Sequence, residues 1–157
     1  MSNNKKPKFT EDSESVRAHL SITQAIIQRM AANSSASKAW CITIVSALLV
    51  IIADKGKPQF AWLAFIPVGL FLVLDIYYLA LEKGFRESYN LFIAKLHEGS
   101  ILTEDLYALK PSGRMHCLVG EAIISFSIWP FYLSLITLTY FAKITVLSPN
   151  YAGLLST

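Results

Sequence analysis

Three apolar runs constrain this chain more than any other feature. Residues 39–53 read AWCITIVSALLVIIA, residues 60–81 read FAWLAFIPVGLFLVLDIYYLAL, and residues 117–142 read CLVGEAIISFSIWPFYLSLITLTYFA. At ~1.5 Å per residue, the second and third are long enough to cross ~30 Å of hydrocarbon as helices. The first is shorter, and Ala36 and the aliphatic stem of Lys38 extend it. The pattern predicts an all-α integral membrane protein with three transmembrane helices and amphipathic cytoplasmic helices. Composition agrees: 54% of residues are hydrophobic and 16% charged, with a mean hydropathy of +0.45. The lengths left between the runs give no room for a separate enzyme domain.

Charge sets the expected topology. Of the fourteen Lys and Arg residues, six precede the first run and five lie between the second and third. Lys55, Lys57 and Lys143 are the remainder. The positive-inside rule then places the N-terminus in the cytoplasm and the C-terminus outside. The predicted segments are a disordered basic tail (1–11), a cytoplasmic amphipathic helix (12–36), a first span (37–53) and a second (60–82). A cytoplasmic extension of the second span (83–98), a loop with a short helix (99–116), a third span (117–142) and an outer tail (143–157) follow. Nearly forty residues before the first run and no small-residue cleavage site argue for an uncleaved span. Cys41 and Cys117 fall at cytoplasmic, reducing ends, so free thiols are expected.

Outside the runs, Val16, Leu20, Ile27 and Met30 share one helix face, with Asp12 or Ser13 as N-cap. Phe85, Tyr89, Phe92 and Leu96 form a short coiled-coil-like seam, expected either to pack on the 12–36 helix of the same chain or to join copies of the chain, and contributing to a homo-oligomer in the second case. Gly84 is expected to weaken its helix, and residues 98–100 to end it. Small residues recur on the first run (Ala39, Thr43, Ala47) and the third (Gly120, Ser127, Ser134), a pattern that allows close helix contact. Pro67 and Pro130 predict kinks. Two acids, Asp75 and Glu121, fall inside apolar runs near the cytoplasmic side, where Lys38, Lys83 and Arg114 can reach them. The expected intramembrane polar layer is Lys38, Asp75, Glu121 and Arg114. It reads either as a lock on helix packing or as a cation site at a pore mouth.

No catalytic, cofactor-binding or metal-ligating motif is present. His19, His97 and His116 have no ligand spacing, and His116 and Cys117 point about 100° apart on a helix. No basic stripe with interleaved aromatics indicates nucleic acid. The expected partners are the lipid bilayer, further copies of the chain and a cytoplasmic protein.

Two segments, residues 19–50 and 65–90, resemble a widespread family of small uncharacterised bacterial membrane proteins. The residues that carry the likeness are Arg29-Met30-Ala31 with Asn33-Ser34, Lys38 with Trp40, Asp75 with Tyr77-Tyr78-Leu79, Glu82, and Phe85-Arg86. The architecture is also similar to the SLATT-type two-span effectors of bacterial defence systems, by analogy alone. The resemblance implies the inner membrane of a bacterium. It also implies that Asn33, Ser34 and Lys38 meet Asp75, Glu82 and Arg86 in one layer, with Lys38–Asp75 the preferred pair and Arg86–Glu82 paired along one helix. Two functions follow as expectations. One is a homo-oligomeric effector that permeabilises the membrane. The other is a non-catalytic anchor or scaffold for a partner protein.

Overall fold

The computed structural model describes residues 9–55 and 58–145. Most of the basic N-terminal tail, Lys57 and most of the C-terminal tail therefore lie outside the described residues. Among those described, every regular element is helical.

Helix α1 runs unbroken over Glu14–Asp54, 41 residues and about 60 Å. The sequence reading had divided it at residue 37. No Gly or Pro interrupts it, and Ser37 Oγ donates back to the Asn33 carbonyl at 2.9 Å within the continuous helix. Ser13 is its N-cap. A 3-10 segment, Pro58–Ala64, returns the chain, and α2 follows over Phe65–His97. Pro67 sits in the first turn of α2, where a missing N–H costs little, so it marks a helix start and not a mid-span kink. Helix α2 ends in a Schellman motif. Gly99, at φ 66, donates to the Leu96 carbonyl and Ser100 donates to that of Lys95.

The two long helices form an antiparallel hairpin. Val16 packs with Phe92 and Leu96 at one end, Ser34 meets Asp75 in the middle, and Ile52 packs on Ala61 at the other. On α1, Val16, Thr23, Met30 and Ser37 are buried at a spacing of seven, the period of a left-handed helix pair. Two seam residues of α2 are consumed in this hairpin. Phe92 and Leu96 are buried against α1 and Ile101, Phe92 stacks on His19 at 4.2 Å, and Tyr89 accepts a hydrogen bond from Gln24 at 3.2 Å. Phe85 is half-buried. Phe92 and Leu96 of the seam therefore close the hairpin within one chain, while Phe85 and Tyr89 stay partly exposed. The seam's partner is the N-terminal half of α1, long enough to lie alongside because α1 does not break.

The third apolar run is two helices, α3 (Met115–Ile123) and α4 (Trp129–Thr145). Pro130 supplies no N–H to the Phe126 carbonyl, and it sits at the second position of α4, where a helix tolerates it. The chain thus breaks over residues 124–128 and restarts, where a kinked continuous span had been expected. Leu118 and Ala122 of α3 pack on Ala80 of α2. Ile128, Tyr132 and Leu135, on and just before α4, pack on Cys41, Val45, Ala64 and Val68. One end of the molecule is a three-helix bundle, and the other is a two-helix stalk.

Two helical stretches, Glu14–Asp54 and Phe60–His97, are long and apolar enough to cross a membrane, with mean hydropathies of 2.0 and 2.1 over their best windows.

Candidate functional site

The most unusual side chain in the bundle is Asp75, fully buried on α2. It lies seven residues from Val68 and so shares the face that α2 turns to α1. Across from it, Ser34 and Lys38 occupy successive turns of α1. Lys38 Nζ lies 2.6 Å from Asp75 Oδ2. Ser34 Oγ donates to Asp75 Oδ1, and Lys38 Nζ donates to Ser34 Oγ at 3.3 Å. One helix thus supplies a hydrogen bond to Oδ1 and a charge beside Oδ2, which has no hydrogen bond among the described residues. A carboxylate removed from water needs this arrangement, because desolvation costs several kcal/mol unless charge and hydrogen bonds offset it. The Lys38 side chain keeps 18% exposure, so the pair sits at the edge of the buried layer.

Helix α4 closes the third side. Tyr132 is 2% exposed and faces Asp75 and Cys41. Its hydroxyl is buried beside the Asp75 carboxylate without a well-formed hydrogen bond among the described residues. Sequence reasoning did not single it out. The signal was there: Ile128, Tyr132, Leu135 and Thr139, all buried, are spaced four, three and four. The serines that had been chosen as a contact stripe, Ser127 and Ser134, face outward, as do Ala39, Thr43 and Ala47 on α1.

The other two members of the expected layer sit elsewhere. Glu121 is exposed. Its carboxylate is 3.9 Å from Lys83 Nζ, which also donates to the Glu121 carbonyl at 2.9 Å. Lys83 thereby caps the C-terminal end of α3. Arg114 is the exposed N-cap of α3 and makes no ion pair among the described residues. Both miss Asp75 for one reason: α3 is a separate short helix that packs two turns further along α2, beside Ala80 and Gly84. Glu82 and Arg86 pair at 2.8 Å along α2, and neither reaches Asp75.

Gly84 has a role that helix propensity does not show. The backbone of the preceding loop lies directly on it, with Ser112 N–H donating to the Gly84 carbonyl at 2.9 Å. A Cβ there would lie 2.8 Å from Pro111 Cβ and 2.9 Å from Leu118 Cδ1. The same loop is strapped to the stalk at two further points. His19 Nδ1 lies 3.0 Å from the Leu106 carbonyl, which can only accept, so Nδ1 carries the proton. Lys95 binds Asp105 at 2.7 Å. The Lys95 ammonium, then the Leu102 N–H, hold the Asp105 carboxyl below the usual carboxylate range.

Among the described residues no three His, Cys, Asp or Glu side chains gather as a metal site. Cys41 is buried and Cys117 exposed, both as free thiols. Comparison with protein-family models, with curated proteins and with solved structures finds no match for this chain.

Proposed function

We propose that this chain is an integral membrane protein that anchors a rigid cytoplasmic helical stalk and presents it to a partner protein. The observation that carries the reading is the exposure of the apolar windows. Only 22% of the α1 window and 33% of the α2 window are buried within the bundle. The core helix of a water-soluble protein hides its apolar surface, whereas these helices turn Ile42, Ile44, Val50, Ile51, Leu70 and Val73 outward. A continuous apolar surface of this kind is stable only in lipid or against another protein. Helix α4, 17 residues and about 25 Å, supplies a third crossing beside them. The cation bias orients the hairpin with its stalk in the cytoplasm and its C-terminus outside, in the inner membrane of a bacterium. Alkaline carbonate extraction of cell membranes tests this. The protein stays in the pellet, and release into the supernatant as a monomer would end the reading.

A second reading draws on the Lys38–Asp75 pair. A charged side chain at a helix centre costs roughly 2.5–3.5 kcal/mol on insertion scales, a cost that a passive anchor need not carry. In this reading the chain is a homo-oligomeric effector of a bacterial defence or stress system, similar to the SLATT-type proteins. The pair is a lock that opens when the stalk is engaged, and the membrane becomes permeable. Depolarisation on overexpression, altered by Lys38→Ala, supports the effector. A harmless wild type leaves the anchor.

A further inference from the structure

The break between α3 and α4 is hard to reconcile with a position inside hydrocarbon. The Phe126 N–H has no bond among the described residues, Ser127 N–H reaches only Ser125 Oγ at 3.4 Å, and Pro130 has no N–H to offer. Irregular backbone of this kind is tolerated at membrane depth only where protein or water covers it. Here the side chains are open: Ile124 is 81% exposed and Phe126 87%.

The level of the break points to where it lies. Tyr132, one turn into α4, faces Asp75. The break therefore lies on the stalk side of the Lys38–Asp75 pair. Trp40 on α1, Tyr77 on α2 and Trp129 at the start of α4 are all exposed near that level, and such rings favour the headgroup region. Beyond the break, α3 buries Leu118 and Ala122 against α2 while Glu121, His116 and Cys117 stay exposed, as expected of a helix bathed by water on one side.

Resting on the membrane reading above, we propose that residues 123–129 form a lipid-interface anchor on the cytoplasmic leaflet. Ile124 and Phe126 insert at the boundary between headgroups and acyl chains. Helix α3 lies outside the hydrocarbon, and the third crossing begins only at Trp129. The partner is the bilayer surface itself, because this turn is continuous with the lipid-facing apolar band of α4 formed by Leu133, Leu138 and Phe141, all exposed.

The test is depth-resolved fluorescence quenching. Trp40, Trp62 and Trp129 are replaced by Phe, and a single Trp is placed by Phe126→Trp or Leu138→Trp. The protein is reconstituted in phosphatidylcholine vesicles brominated near either the carbonyl or the methyl end of the acyl chains. The Phe126→Trp probe is quenched at least about twofold more by the shallow bromines, and the Leu138→Trp probe by the deep ones. Deep quenching at both positions means a continuous span and overturns the proposal. Quenching at position 138 with none at 126 means that protein covers the turn, and overturns it too. No quenching at either removes the membrane reading and the proposal with it. A second measurement avoids the Trp replacements. In Cys41→Ala protein, Cys117 reacts with a membrane-impermeant maleimide in inside-out vesicles and not in right-side-out ones. Protection of Cys117 in both would place α3 in the hydrocarbon and overturn the proposal.

Discussion

At Lys38 and Asp75 the two ways of breaking one ion pair are unequal. Lys38→Ala leaves a buried carboxylate with only Ser34 for a partner. In soluble proteins, stranding one member of a buried pair costs about 3–5 kcal/mol. Asp75→Asn removes the charge and keeps an acceptor for Ser34, so it costs less. Tyr132→Phe removes a hydroxyl without a well-formed hydrogen bond among the described residues and costs less than about 1 kcal/mol. The expected order of loss in detergent-solubilised thermal stability is therefore Lys38→Ala, then Asp75→Asn, then Tyr132→Phe. A Tyr132→Phe loss equal to that of Lys38→Ala would show that the hydroxyl belongs to the polar cluster. The glycines give a second residue-scale contrast. Gly69→Ala meets nothing within 4 Å and gains up to about 1 kcal/mol of helix propensity. Gly84→Ala gains the same propensity but must displace Pro111 and Leu118, and overpacking of this kind costs about 1–3 kcal/mol. Thermal melts of the two variants move in opposite directions, and a stabilised Gly84→Ala would mean that the loop is free to shift.

Among the elements, the stalk carries a pH dependence of known sign. Asp105 is held below its unfolded value, about 3.9. Its contribution is complete above that value and is lost as pH falls through the lower folded one. The pair is half-exposed on the lysine side, so it is worth less than about 1 kcal/mol. Amide protection of residues 102–108, taken relative to the intrinsic exchange rate at each pH, should fall on acidification in the wild type, and Asp105→Asn should show low protection throughout. An unchanged pH profile in that variant would assign the strap to His19 and Gly84 instead. The seam has a different expected outcome now that its partner is known. Phe92→Glu puts a charge into the contact among Val16, His19 and Ile101. It should open the stalk to protease and leave the bundle folded, with no change of oligomeric state. How legible the elements were follows from where their partners lie. The period of seven on each face, the cap at Ser13 and the stop at Gly99 are local signals and could be read directly. The occupant of the seam was legible only as a choice between the 12–36 helix of the same chain and a second copy, because the choice depends on how α1 runs beside α2. The break at 124–128 was hidden because hydropathy is blind to the missing N–H of Pro130. Lys38 and Asp75 could be paired once two antiparallel helices were assumed. Glu121 and Arg114 were misplaced because they ride on α3, whose packing is set by the space at Gly84.

For the whole molecule, the bundle and the stalk divide the work of being stable. The bundle alone buries only 22% and 33% of its two apolar windows, and on the membrane reading proposed above lipid covers the rest. The stalk has an internal seam and three strap contacts, and needs no lipid. That asymmetry predicts how the protein comes apart. In mild detergent, limited proteolysis should spare both parts. Transfer to detergent-free buffer should aggregate the intact chain through the bundle. Orientation is the remaining property of the whole, and it rests on charge: eleven of the fourteen Lys and Arg residues precede the first apolar run or lie between the second and the third. Moving such charges across a membrane is strongly disfavoured, so on the membrane reading proposed above the stalk end is expected in the cytoplasm. Phosphatase and fluorescent-protein fusions at residues 5, 56, 100 and 155 read this out. Cytoplasmic signals are expected at 5 and 100, and external ones at 56 and 155. An odd number of crossings separates 100 from 155 only if α4 spans. A cytoplasmic signal at 155 would leave α4 lying against a two-span hairpin, and would move the lipid boundary away from Trp129.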